Sequence, residues 1–392
     1  MSAVASPARV VLAGVHGHGH WHLRNLARLE TQGRVRLVGV CDPQPLEGAL
    51  AEQLQGVPHD DTLAEALERR APDVVVLCTP IHTHVDLATA AMTAGAHVLL
   101  EKPPAPTRAG HLALRDAAEA AGVACQIGFQ SFGSNAVEAA RQLVAGGAIG
   151  ELRGIGVAGA WVRGAAYYQR APWAGRRVLD GRDVVDGALT NPFAHATATA
   201  LRIDGSDGAD GGFASLDLAL FHANDIEADD TSSLTAVTTR GTPLAVAVTL
   251  CSPAHHEPYV LVHGNHGSVQ VFYKTHRLRT VVDGIERESQ HDEVDLLDNL
   301  LDHLADDAVE LLAPVERTLG FAEVIDGVRL ADPPRAIPAP YVQWVEDEAG
   351  PRVVVTGIDA AVERCARELT SFADLGLPWA DLPATAARKS LL

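Results

Sequence analysis

The chain has 392 residues, with 31 Lys and Arg against 50 Asp and Glu, giving a formal charge of −19. That balance argues against nucleic-acid binding, which depends on cationic contacts to phosphate. The longest apolar runs, such as Val74–Cys78, fall far short of the ~20 residues a membrane-spanning helix needs. An apolar fraction of 47% with 21% charged residues fits an ordinary folded chain of two or three domains.

The opening residues, MSAVASPARVVLAGV, lack a basic segment followed by a long apolar core, so their apolar run reads as a first strand and not as a secretion signal. Strand-like and helix-like segments then alternate. Arg9–Ala13, Val35–Cys41, Val74–Cys78, His97–Leu100 and Ala124–Phe129 are short β-branched runs. His20–Glu30, Ala49–Gln55, Leu63–Arg70, His84–Ala94 and Ala109–Ala121 have helical apolar spacing. Continuous apolar strands separated by helices predict a doubly wound parallel sheet covered on both faces.

A helix at Ala136–Ala145 ends this pattern. From Leu152 to about Ile285 the apolar runs alternate and are separated by Gly or Pro: Arg153–Val162, Ser215–Ala223, Ser232–Thr239, Leu244–Leu250, Tyr259–His263 and Ser268–Tyr273. They predict an open, mostly antiparallel sheet, with a helix at Thr190–Leu201 between the first two runs. Helices follow at Asp295–Leu304 and Ala322–Leu330, expected to pack back near the first domain. The expected divisions are therefore a Rossmann-type domain at 1–133, an α+β substrate and oligomerisation domain at 134–330, and an extension at 331–392. That extension holds a Pro-rich link, a strand (Arg352–Thr356) and a helix (Asp359–Phe372), and its Trp379 is expected to cap a neighbour's crevice or pack at a dimer interface. The exposed face of the second sheet is the expected homodimer or homotetramer interface.

Chemistry concentrates at the carboxyl ends of the first strands, where open α/β sheets bind ligands. Gly14-Val15-His16-Gly17-His18-Gly19 links the first strand to the first helix, a turn suited to cradling a dinucleotide pyrophosphate on backbone N–H groups. It is a degenerate GxGxxG, with His16 at the middle position and a glycine displaced to Gly17. Asp42 ends the second strand, where a carboxylate accepts ribose hydroxyls, and no Lys or Arg follows closely to hold a 2′-phosphate, so NAD is favoured over NADP. Thr79, Pro80 and His84 follow the next strand, and Glu101, Lys102 and Pro103 the one after it; Thr79, Pro80, His84, Glu101 and Lys102 are expected to face the same crevice as the glycine turn and to bind the cofactor. The histidines at 16, 18, 20 and 22 cross from turn into helix and are expected to diverge, so no metal site is expected. Five scattered cysteines (41, 78, 125, 251 and 365) without a CxxC pair fit a reducing, cytoplasmic setting.

The order of these elements (glycine turn, Cys41-Asp42, Thr79-Pro80 with His84, GAHVLLEKP, then Ile127-Gly128-Phe129) resembles the Gfo/Idh/MocA family of NAD(P)-dependent oxidoreductases over residues 8 to 330. The resemblance implies hydride transfer between nicotinamide and a secondary alcohol of a sugar, sugar acid or cyclitol. It maps the family's catalytic Lys onto Lys102, and its Asp-x-x-x-His onto Asn191-Pro192-Phe193-Ala194-His195, with His195 as proton acceptor. Asn191 stands where the family carries Asp, and Asp186 is the competing alignment. Trp161, Arg163, Tyr168, Arg170 and Trp173, with Asp186, are the expected substrate-binding residues, or else a packing loop. Two other readings stay open: an NAD-dependent glycoside-cleaving enzyme using transient oxidation, and a lapsed NAD-binding regulatory protein.

Overall fold

Two sheets of opposite character organise the computed structural model, which describes residues 7–347 and 350–381. In chain order the first part contains β1 (Ala8–Ala13), α1 (Gly19–Thr31), β2 (Val35–Cys41), α2 (Gly48–Gln53), β3 (His59–Asp60), α3 (Leu63–Arg70), β4 (Val74–Leu77), α4 (His84–Thr93), β5 (His97–Leu100), α5 (Arg108–Ala121) and β6 (Cys125–Ile127). Next come α6 (Asn135–Ala145), β7 (Leu152–Ala160), α7 (Ala165–Tyr168), β8 (Val178–Leu179), β9 (Arg182–Asp183), α8 (Ala194–Asp204), β10 (Phe213–His222), β11 (Thr231–Thr238), β12 (Pro243–Thr249), β13 (Tyr259–Gly264), β14 (Gly267–Phe272), β15 (Arg277–Val282) and β16 (Ile285–Gln290). The last are α9 (Leu296–Ala305), α10 (Leu319–Leu330), β17 (Arg335–Ala336), β18 (Val342–Asp347), β19 (Gly350–Val355) and α11 (Ile358–Glu368).

The chain divides into two units. The first comprises residues up to Ala105, Ala109–Phe129 and Asp295–Glu316. Its six strands run in the order β3-β2-β1-β4-β5-β6, every pair parallel. β4 and β5 are buried at every residue, as their unbroken Val and Leu content requires of strands covered on both faces. Local signals set the helices between them. Thr62 caps α3 by accepting from the Glu65 N–H while its hydroxyl meets the Glu65 carboxylate, a reciprocal cap. The α9 segment joins this unit through Gln126, whose amide donates to the Leu296 carbonyl and accepts from the Ala313 N–H. Arg34 adds ion pairs to Asp298 and Asp302.

The second unit holds a nine-stranded sheet in the order β16-β15-β14-β13-β7-β12-β11-β10-β17. All its pairs are antiparallel except β7 with β12 and β10 with β17. Three of its strands, β15, β16 and β17, lie outside the predicted runs. Every residue of β16 is exposed, so no apolar face marks it in the sequence, although Asp283-Gly284 supplies a hairpin turn before it. The extension is part of this unit and not a separate appendage. It contributes three strands and a helix instead of one strand and one helix. β17 pairs beside β10, and α11 lies across β7, so close that a Cβ on Gly156 would sit 1.9 Å from the Ala366 carbonyl oxygen. Phe372 and Trp379 pack on Phe221, and Trp379 is 8% exposed. Part of the sheet face expected to meet another subunit is thus covered by the chain's own C-terminal segment. Residues 382–392 of that extension lie outside the described residues.

This packing makes a specific demand on Gly156. Gly156→Ala should lower stability by about 1–3 kcal/mol in chemical denaturation, because the methyl collides with α11 backbone, and limited proteolysis should then release the segment after residue 357 first.

Candidate active site

β1 delivers the glycine turn, and neighbouring backbone dictates its glycines. Gly14 has φ +85°, and a Cβ there would lie 2.3 Å from the Cys78 carbonyl oxygen at the end of β4. A Cβ on Gly19 would lie 2.2 Å from the Gly14 carbonyl oxygen. The turn is therefore sealed against the sheet on its inner side. Gly17, with φ +60°, meets nothing within 4 Å and leaves the backbone bare. Asp42 locks the turn from β2: one carboxylate oxygen accepts the Val15 N–H and the other the Gln44 N–H, each at 3.0 Å. A carboxylate has about four acceptor sites, so capacity remains for a ribose hydroxyl.

Beside the turn lies a depression of about 430 Å³ lined by His16, His20, Gln44, Pro45, Glu47, Ala49 and Leu50. Its lining has no Lys or Arg and does include the Glu47 carboxylate, an environment that suits an unphosphorylated ribose better than a 2′-phosphate. A bare glycine backbone, a carboxylate anchor and an adjoining depression fit the dinucleotide expected from the sequence.

The histidines do not diverge as expected. Residues 18 to 22 follow helical spacing, so His18 and His22, four apart, both reach Glu101 at the end of β5, while His16 and His20 line the depression. The His22 Nε2 is 3.0 Å and the His18 Nε2 3.5 Å from Glu101 Oε1, and Glu101 Oε2 accepts the Lys102 N–H at 3.2 Å. Burial pushes the Glu101 carboxyl up, but the hydrogen bonds and charge of the two histidines outweigh it and hold it well below the usual carboxylate range. Room for the carboxylate comes from Gly128, where a Cβ would lie 3.0 Å from it. The ligating atoms of His18, His22 and Glu101 fall within 4.8 Å of one another, a spacing a divalent ion could bridge, although the His22–Glu101 hydrogen bond accounts for the buried pair without one.

His84 is buried and turned inward: its ring nitrogens lie 2.7 Å from the Thr79 carbonyl oxygen and 2.9 Å from that of Pro103. Burial lowers its pKa while the two carbonyls, which only accept, pull it up, and the ring sits between the two loops that carry Thr79 and Lys102. Thr79 and Lys102 are half-buried and Pro80 is exposed.

In the second unit, α8 begins at Ala194, four residues later than the expected helix start at Thr190, which would have placed Asn191 in the first turn. The Phe193 N–H reaches back to the Ala188 carbonyl and the Asn191 N–H to that of Gly187, so Asn191 and Pro192 form a turn ahead of the helix. His195 stays in the first helical turn. The two residues weighed as alternatives, Asp186 and Asn191, are bonded to each other: the Asn191 amide donates to Asp186 Oδ1. Asp186 is 7% exposed, accepts Arg170 at 2.8 and 3.1 Å and the Gly175 N–H at 2.8 Å, and so knots the turn before α8 to the 163–175 loop. The Arg170 guanidinium covers the rings of Tyr167 at 3.8 Å and Trp173 at 4.6 Å. The Tyr168 hydroxyl is buried, which pushes its pKa far up, so Tyr168 is not an acid–base candidate. Trp161 packs against Phe193, ring centroids 4.5 Å apart. Around Trp161 stand Arg163 and two residues the sequence reading passed over, His255 and Lys274. One signal was available for the latter: the chain has three lysines, Lys102, Lys274 and Lys389, against 28 arginines.

Comparisons with known proteins agree with this geometry. Residues 8–129 match the family described as "Oxidoreductase family, NAD-binding Rossmann fold". The chain is 34% identical over 121 residues to 4-carboxy-2-hydroxymuconate-6-semialdehyde dehydrogenase of Sphingobium sp., covering 31% of this chain and 38% of that protein. It is 32% identical over 123 residues to D-glucoside 3-dehydrogenase of Escherichia coli, covering 31% and 35%. The matches thus span little more than a third of the length of these relatives. Among solved structures, the WlbA dehydrogenase from Bordetella pertussis, in complex with NADH and UDP-GlcNAcA, superimposes with TM-score 0.68 at 23% identity, covering 82% of this chain and 95% of that one. Levoglucosan dehydrogenase, in complex with NADH and levoglucosan, gives 0.69 at 18% identity, with 82% and 96% covered. At such identities these likenesses establish the fold.

The buried carboxylate defines a pH test. Its folded value is depressed, so its contribution to stability is complete above the unfolded value of about 4.3 and is lost as pH falls through the lower folded value. Glu101→Gln should therefore reduce the melting temperature most at pH 5 and above, and the gap to the parent protein should close in strong acid.

Proposed function

We propose that the chain, whose residues 8–129 match the NAD-binding Rossmann domain of the Gfo/Idh/MocA oxidoreductase family, is an NAD-dependent dehydrogenase acting on a secondary alcohol of a sugar, sugar acid or cyclitol. The observation that carries this reading is the glycine turn of residues 14–19, closed by Cys78 beneath and bare at Gly17, with Asp42 fixed beside it. The sugar-directed names of several relatives support the substrate class.

NAD, when bound, supplies the hydride acceptor. In this proposal the chain's own residues handle the proton and the oxygen. His195 takes the proton of the substrate hydroxyl on its imidazole. The Lys102 ammonium donates to the same oxygen and stabilises the negative charge that develops there. Asn191, held by Asp186, orients a hydroxyl of the substrate, and the aromatic and arginine side chains at 161–173 line its ring. Gly14, Gly17 and Gly19, with the backbone of His16 and His18, cradle the pyrophosphate, and Asp42 holds the ribose. The reading extends to a homodimer or homotetramer in the cytoplasm. Five free cysteines support the reducing compartment.

The test is a sugar, sugar-acid and cyclitol panel assayed for NADH formed in step with ketone. Lys102→Ala should lower kcat by about two to four decades, while NADH binding, followed by fluorescence, persists. Turnover within about threefold of the parent would remove Lys102 from the chemistry.

A further inference from the structure

Trp161 follows β7 and is 6% exposed. Three ionisable groups surround its ring. The Arg163 guanidinium and the Lys274 ammonium each lie 4.9 Å from the ring centroid, and the His255 imidazole stacks on it at 5.3 Å with 12° between the planes. These residues come together because β7, β13 and β14 are neighbours: Trp161 and Arg163 leave the end of β7, His255 precedes β13, and Lys274 follows β14. Phe193, two residues before His195, packs against the same indole, ring centroids 4.5 Å apart.

The cluster has no compensating carboxylate. Among the described residues, neither Arg163, Lys274 nor His255 has an Asp or Glu within 4.0 Å, although the chain as a whole carries 19 more acids than bases. The nearby acids are already engaged. Asp186 holds Arg170, Glu257 holds Arg277 at 2.8 Å, and Asp359 faces His256 at 3.7 Å. Burial and charge depress the proton affinity of both His255 and Lys274, and the charged groups acting on them are cations: Arg163 on both, with Lys274 and His256 also acting on His255. Arg163 and Lys274, gathered on one indole without a counterion, repel each other, and an anion bound between them relieves that repulsion while making charge-assisted hydrogen bonds, with the His255 ring beside them as a further donor.

We propose that Arg163, Lys274 and His255 form an anion subsite around Trp161, and that the substrate of this chain is an anionic sugar, bearing a carboxylate or a phosphate, and not a neutral sugar or cyclitol. The inference rests on the sugar-dehydrogenase reading above and narrows it. It also identifies Lys274 as a specificity determinant outside the family-like motifs.

The test uses the NAD-loaded protein and three sugars of one stereochemistry, a hexose, its uronate and its 6-phosphate, titrated by calorimetry and assayed for NADH formation. One of the two anions should bind more tightly than the neutral hexose, and the stronger one identifies the source of the charge. Lys274→Gln and Arg163→Gln should each weaken that anion by about ten- to a hundredfold, shrinking its advantage over the hexose, while Lys274→Arg retains most of it. Raised salt should erode the same advantage. The subsite is overturned if neither anion binds the parent protein, if the hexose binds as well as both, or if Lys274→Gln weakens all three alike. Binding of an anion that depends on Lys274 but yields no NADH would instead sink the dehydrogenase reading and leave the subsite standing. NADH formed equally well from the hexose would do the reverse.

Discussion

Glu101 is the point on which the first unit's chemistry depends. It ends β5, accepts His22 from α1, and accepts the backbone N–H of Lys102. One buried carboxylate therefore links the helix that opens at the glycine turn to the residue expected to touch the reacting oxygen. A buried charge is costly unless its partners are well placed. Here the partners are present, and Gly128 contributes by having no side chain where the carboxylate must sit. The motif Glu101-Lys102-Pro103 thus has a division of labour. Glu101 faces inward to position the loop, His84 lies between Pro103 and Thr79, and Lys102 is half-buried.

The second unit solves a similar problem with Asp186. Its carboxylate holds Arg170, the Gly175 N–H and the Asn191 amide together. Because an ionised carboxylate only accepts, the Asn191 Nδ2 must be the atom facing it, and this sets the orientation of the amide. The neutral residue at 191 is thereby not isolated from charge: a buried carboxylate stands directly behind it. The loop that carries Tyr167, Arg170 and Trp173 is ordered by the same contacts, which ties the aromatic lining to the turn that leads into His195.

Much of the fold was legible from residue patterns. β2, α3 and β5 begin and end where their apolar runs predict, because each is bounded by a strong breaker or cap and is buried in a simple way. The failures have physical causes. β16 has no buried face, so alternation was absent. Asn191 and Pro192 have the composition of a helix start, but the Phe193 N–H bonds five residues back and delays α8. The C-terminal extension looked like a linker with a tail because prolines dominate its beginning, whereas its later residues supply part of the core around Phe221.

The amino-acid sequence by itself determined the parallel first sheet, the glycine turn at the head of α1, Asp42 at the end of β2 and the lysine after β5, because those features follow from short-range periodicity and from backbone that only glycine tolerates. Tertiary structure alone decided which distant groups share a charge: His18 and His22 on Glu101, Asp186 against Asn191, and Lys274 with His255 and Arg163 on the face of Trp161. Electrostatic partnership depends on a few ångströms between residues as many as 113 positions apart, such as Trp161 and Lys274, and no local pattern encodes that distance; the pairing of strands does.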